Sequence, residues 1–192
     1  MKTSVILAAL ACAGTGLAAP AVAERQAAKP CFVIGSTTLP KEVSAAGAAL
    51  ANTVTCSRTA KTLSGVPDVT AGTTSFSAID FSKSKQSTLA FALDKFATAS
   101  PLAGNDLKKF QNELDVYVAT EVGIRSVGGN LAIKVPKFFL EFQVSRIRVA
   151  QGDTPKEPGL QVDHLRDKVL KNAANQDKAL LDQVRQLATV LA

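Results

Sequence analysis

Cysteine is the residue type that most constrains what this chain can fold into. The 192-residue sequence carries three, Cys12, Cys31 and Cys56, and the first lies in a segment patterned like an export signal. Met1-Lys2 puts one positive charge ahead of the apolar run Val5–Cys12. Small residues then lead to Ala21-Val22-Ala23, the small-x-small pattern that signal peptidase cleaves after. Residues 1–23 therefore read as a signal peptide, and cleavage leaves a mature chain of about 169 residues without Cys12. In an oxidising compartment the remaining two cysteines admit one intramolecular pairing, Cys31 with Cys56. Free thiols, or a bond between two chains, are the alternatives. Closing a loop of about 25 residues contributes roughly 3–4 kcal/mol in the chain-entropy view. One staple cannot hold a chain this long, so a sizeable apolar core must.

The expected location is extracellular. No second apolar stretch reaches the ~18 residues that a membrane span needs. The apolar C-terminal stretch Ala179–Ala192 is interrupted by Asp182 and Arg185, unlike the tail of a lipid-anchor signal. No Asn opens an N-x-Ser/Thr sequon, so N-glycosylation is not expected. The formal net charge of +6 falls to about +5 without Lys2. Such a surface favours acidic partners such as anionic glycans, walls or lipid headgroups, although a solvated lysine excess is the simpler reading.

Periodicity predicts helices. Residues 24–39 form a polar leader followed by the short extended segment around Cys31-Phe32-Val33-Ile34. Thr37-Thr38-Leu39-Pro40 reads as a helix start, and Val43, Ala46, Gly47, Leu50 and Val54 recur at spacings of three and four. One helix is expected from Pro40 to about Leu63, with Cys56 on it. Gly65–Lys85, rich in Gly, Pro, Ser and Thr, reads as a long ordered loop. Phe76, Ile79 and Phe81 stand out there, either as anchors onto the body or as a candidate binding loop.

Leu89, Leu93 and Phe96 mark a second helix. A third follows, capped by Asn105 or Asp106 and stopped by Gly128-Gly129-Asn130. Pro136–Gln151 is apolar all round and reads as a buried helix, though Leu140, Phe142 and Val144 also alternate as in a strand. The last segment is strongly amphipathic, with a break at Asn172–Asp177 that splits it into two helices or leaves it as one. The expected fold is all-α: a single-domain antiparallel bundle over residues 40–192, with one disulfide.

The catalytic inventory is poor. His164 is the only histidine, it falls on the polar side of its helix, and no G-x-S-x-G frame supplies a nucleophile. No metal-ligand spacing occurs, and no cofactor is expected. Among the central acids Glu113, Asp115, Glu121 and Glu141, the last two sit where ion pairing with Arg125 or Arg146 is the ordinary outcome. A pair of carboxylates would nonetheless suffice for a glycosidase. The absence of Trp and a single Tyr give little sugar-stacking surface. Lys134, Lys137, Arg146 and Arg148 form a candidate anion-binding face if the bundle gathers them. Without interleaved aromatics they do not indicate nucleic acid.

The Ala-rich export signal is followed early by Cys31-Phe32-Val33. Further on, Gly123-Ile124-Arg125-Ser126-Val127-Gly128-Gly129 leads towards Lys134-Val135-Pro136-Lys137-Phe138-Phe139. In these features and in its layout the chain resembles the small secreted proteins of filamentous ascomycete fungi. The resemblance implies an apoplastic or wall-associated protein, of the effector type, and carries no catalytic residues. The resulting expectation is a non-enzymatic secreted interaction protein that binds a host extracellular protein, as a protease inhibitor for example, or a wall component. A surface-active or lipid-binding bundle is the alternative.

Overall fold

The computed structural model describes residues 29–191; the signal-peptide expectation at 1–23 lies outside them. Two long helices form the centre. Helix α3 (Leu107–Ser126) and helix α4 (Lys134–Ala150) pack against each other. Around them stand α1 (Lys41–Leu50), α2 (Thr88–Lys95), α5 (Val162–Asn172) and α6 (Lys178–Leu187). A three-stranded antiparallel sheet, β1 (Val54–Lys61), β2 (Pro67–Ala71) and β3 (Thr74–Ser75), lies against α3.

The all-α expectation is therefore corrected: among the described residues the fold mixes six helices with a sheet. The helix expected over Pro40–Leu63 ends at Leu50, and β1 begins at Val54. Thr53, Val54, Thr55 and Thr59 are β-branched, which costs them rotamer freedom in a helix and suits them to a pleated surface. Cys56 consequently sits on a strand, opposite Val69 of β2. The Cys31–Cys56 disulfide is present, with Cα atoms 6.1 Å apart. It ties the chain's first described residues to the sheet rather than to a helix.

Gly65–Lys85 is likewise not a loop. It contains β2, β3 and two short 3-10 turns, Phe76–Ile79 and Phe81–Lys83. Gly72 and Thr73 close the β2–β3 hairpin, and the left-handed φ of +55° at Gly72 is what so tight a turn requires. Phe76, Ile79 and Phe81 are buried in the core. The Tyr117 hydroxyl of α3 donates to the Ile79 carbonyl at 2.6 Å. Its ring meets Phe76 and Phe96 edge-on, with centroids 5.1 and 5.6 Å apart. These contacts clamp the segment to the body.

Capping explains where α3 begins and ends. The Asp106 carboxylate accepts from the Lys109 amide at 3.1 Å. At the other end Gly128 adopts φ +69°, while Gly128 N donates to Arg125 O and Gly129 N to Ile124 O. That pair of bonds is a Schellman closure. The same end organises the N-terminal segment: Ser126 Oγ accepts from the amides of Ile34 and Gly35. Gly123 permits the close approach, since a Cβ there would stand 2.6 Å from the Phe32 carbonyl oxygen. The break at Asn172–Asp177 separates α5 from α6, with Asp177 capping the latter. Among the described residues no helix is long and apolar enough to cross a membrane.

Candidate functional site

The four residues of the expected anion-binding face do not share a face. All lie on α4, but Lys137 and Arg146 are nine residues apart. At about 100° per residue, that separation places them on opposite sides of the helix. Each side opens into a cleft of different chemistry.

On the Lys137 side, α1, α3, α4 and α5 enclose a polar cleft of about 480 Å³. Glu42 of α1 and Lys134 of α4 line it, and its other titratable residues come in pairs spaced four residues apart, so that both members share a helix face. They are Glu121 and Arg125 on α3, Lys137 and Glu141 on α4, and His164 and Lys168 on α5. Arg125 donates through Nε and Nη2 to Glu121 Oε1, at 2.8 and 2.7 Å. Lys137 Nζ reaches across the helices to Glu121 Oε2 at 3.3 Å and stands 4.0 Å from Glu141 Oε2. It also lies 3.6 Å from the centroid of the Phe138 ring, with Lys168 Nζ 5.9 Å from the same ring.

Burial pushes the Glu141 carboxyl above the usual carboxylate range. Lys137 pulls the other way, neighbouring Glu121 adds to the rise, and Lys168 and His164 oppose it. Lys134 is half-buried and Lys168 exposed at the cleft. Among the described residues neither forms an ion pair.

On the Arg146 side, α2, α4, α6 and the segment 97–102 enclose a pocket of about 370 Å³. Arg146 is 2 % exposed. Its Nη1 donates to Gln143 Oε1 at 2.6 Å and to Thr98 Oγ1 at 3.4 Å, and its Nη2 to the Val190 carbonyl at 2.8 Å. Every acceptor is neutral. Burial lowers the guanidinium to about 10, so it still carries its charge at neutral pH.

Arg148 belongs to neither cleft's charged group; it pairs with exposed Asp153 at 2.8 Å. The pairing of Glu121 with Arg125 follows the spacing read from the sequence, whereas Glu141 meets Lys137 and not Arg146. His164, on the polar side of its helix, stands at the charged cleft close enough to act on Glu141. Phe76, Ile79 and Phe81 are buried and present little side-chain surface for binding.

Fold and clefts together define a disulfide-linked α+β domain with two polar-floored clefts flanking one buried helix. Residues 33–192 match the family described as Domain of unknown function (DUF7143), and the chain belongs to that family. No curated protein and no solved structure matches it.

Proposed function

We propose that this is a secreted, non-enzymatic binding protein, of the fungal effector type, whose charged cleft takes an acidic wall polysaccharide. The observation that carries this reading is the pair of cations, Lys134 and Lys168, which form no ion pair among the described residues beside a cleft whose other lysine and arginine are engaged, Glu42 being the one wall carboxylate outside those pairs. Lys137 and Arg125 are engaged by Glu121, so an incoming polyanion meets Lys134 and Lys168 first. Phe138 is covered by two ammonium groups, which favours charge contacts over the stacking of neutral sugars. The export-signal pattern, the disulfide and the resemblance to fungal secreted proteins support an extracellular setting. Protease inhibition loses its motive, because Gly65–Lys85 is folded onto the body instead of projecting from it.

Calorimetric titration of the mature protein with oligogalacturonate tests the reading. Binding should weaken at least tenfold in the Lys134→Ala/Lys168→Ala double variant and weaken steadily with added salt. Equal affinity of the double variant, or no binding at millimolar ligand, would discard it.

A second reading is favoured by the two neighbouring carboxylates of the cleft. Glu141, pushed towards its acid form, stands beside Glu121, which accepts from two cations. Divergent carboxylate environments of this kind also serve general acid catalysis at a glycosidic bond. Release of reducing ends from wall polysaccharide, abolished by Glu141→Gln, would replace binding with hydrolysis.

A further inference from the structure

Arg146 has no use in the charged cleft, and its burial is costly. A buried cation is normally matched by an anion, because desolvation removes far more than neutral hydrogen bonds return. Among the described residues, none that lines the pocket carries a negative charge. The guanidinium forms three bonds to neutral oxygens, and its Nε has no hydrogen-bond partner among the described residues. Nη2 carries two hydrogens and spends one on the Val190 carbonyl. The donor capacity left over, at Nε and Nη2, is what an oxyanion takes from an arginine fork.

The rest of the pocket is mostly apolar. Leu93, Ala97, Leu102, Leu187 and Val190 supply its walls, with Gln183 and Gln186 among its polar lining. A volume of about 370 Å³ falls in the range of sites that enclose small organic ligands. The ligand chemistry follows from this pairing of one buried cation with aliphatic walls. A polyanion would strand its further charges against leucine, and a neutral hydrocarbon would leave the arginine uncompensated.

We infer that the pocket between α2, α4 and α6 is a binding site for a monocarboxylate with a compact apolar body, its carboxylate neutralising Arg146. The carboxylate takes the free hydrogens of Nε and Nη2, and the Val190 carbonyl shifts to admit it. The apolar portion lies along Leu93, Leu102 and Leu187. A fatty acid and a small aromatic acid share this chemistry.

The test is a calorimetric series on the mature protein with octanoate, dodecanoate, phenylacetate and octanol. At least one acid should bind, and octanol should bind at least tenfold more weakly than octanoate. A gain from octanoate to dodecanoate identifies a lipid source, and preference for phenylacetate a small aromatic acid. Arg146→Lys should weaken acid binding about tenfold, since an ammonium lacks the fork. Ala97→Trp, at an exposed position on the pocket wall, should block it while leaving the fold intact by circular dichroism. The Lys134→Ala/Lys168→Ala variant should bind these acids unchanged, which separates this site from the charged cleft. Failure of all three acids at millimolar concentration would overturn the assignment. So would equal binding of octanol and octanoate, or full affinity in Ala97→Trp.

Discussion

Lys137 and Arg146 are cations of one helix, a half-turn multiple apart, and they are buried in opposite ways. Lys137 lies between Glu121 and Glu141, with a ring beneath it. Arg146 has carbonyl, amide and hydroxyl oxygens around it, the Phe142 ring centroid 5.6 Å from its Cζ, and no carboxylate among the described residues. The first arrangement is complete in itself: charge is matched inside the protein, and the lysine holds α3 against α4. The second is complete only when something else arrives. Burial alone therefore does not distinguish a structural cation from a binding one; the partner inventory does.

The largest effect that would sharpen this comparison belongs to Lys137→Met. Removing the ammonium leaves the half-buried Glu141 without a cation at contact distance and takes one of two partners from Glu121. We expect a loss of about 2 kcal/mol at pH 7. For a domain of this size that lowers the melting temperature by several degrees. The loss should shrink at pH 4, where protonation of Glu141 removes its need for a partner.

Arg146→Met should cost less, within about 1 kcal/mol of the parent protein, because the cation removed has no anionic partner to strand. The loss is confined to the hydrogen bonds that Arg146 donates to Gln143, Thr98 and Val190 and to its contact with the Phe142 ring. Denaturant unfolding of the two methionine variants side by side measures the contrast directly. Equal destabilisation by both would break the comparison, since it would give Arg146 the structural role assigned to Lys137.

The smallest effect concerns Glu141. Because the native state holds its proton above the ordinary carboxylate range, the folded protein binds more protons than the unfolded chain above that range's midpoint. Stability contributed by the protonated acid is thus lost as pH rises through the raised native value. Glu141→Gln should be slightly more stable than the parent at pH 7 and indistinguishable from it at pH 4. A loss at pH 7 would mean that the Lys137 contact outweighs desolvation.

Much of the helical frame is legible in the sequence because its signals are local. Asp106 and Gly128 bound α3, and Asp177 opens α6, each through side-chain or backbone chemistry within three residues of the helix end. The sheet was hidden for an equally physical reason. Val54 continues the apolar spacing of α1, so periodicity runs on past Leu50 while the β-branched residues around it favour a strand. β2 and β3 are five and two residues long, too short to display alternation among Ser and Thr.

The clefts divide in the same manner. Glu121 and Arg125 meet at a spacing visible in the sequence. Whether Arg146 finds an acid depends on α2, α6 and the segment between α2 and α3, which only folding brings together. Lys134, Lys137, Arg146 and Arg148 look equivalent as a list of charges. Helical rotation already separates Lys137 from Arg146, and that signal was available from their numbering.

The most direct test of the two-sided arrangement is a heteronuclear NMR titration of the labelled protein, first with oligogalacturonate and then with octanoate. Two separate sets of shifted amides are expected. Oligogalacturonate should move residues around Arg125, Lys134–Glu141 and His164–Lys168; octanoate should move those around Leu93–Leu102, Gln143–Arg146 and Gln183–Val190. A single shared set, or octanoate shifts confined to the Lys137 side, would contradict it.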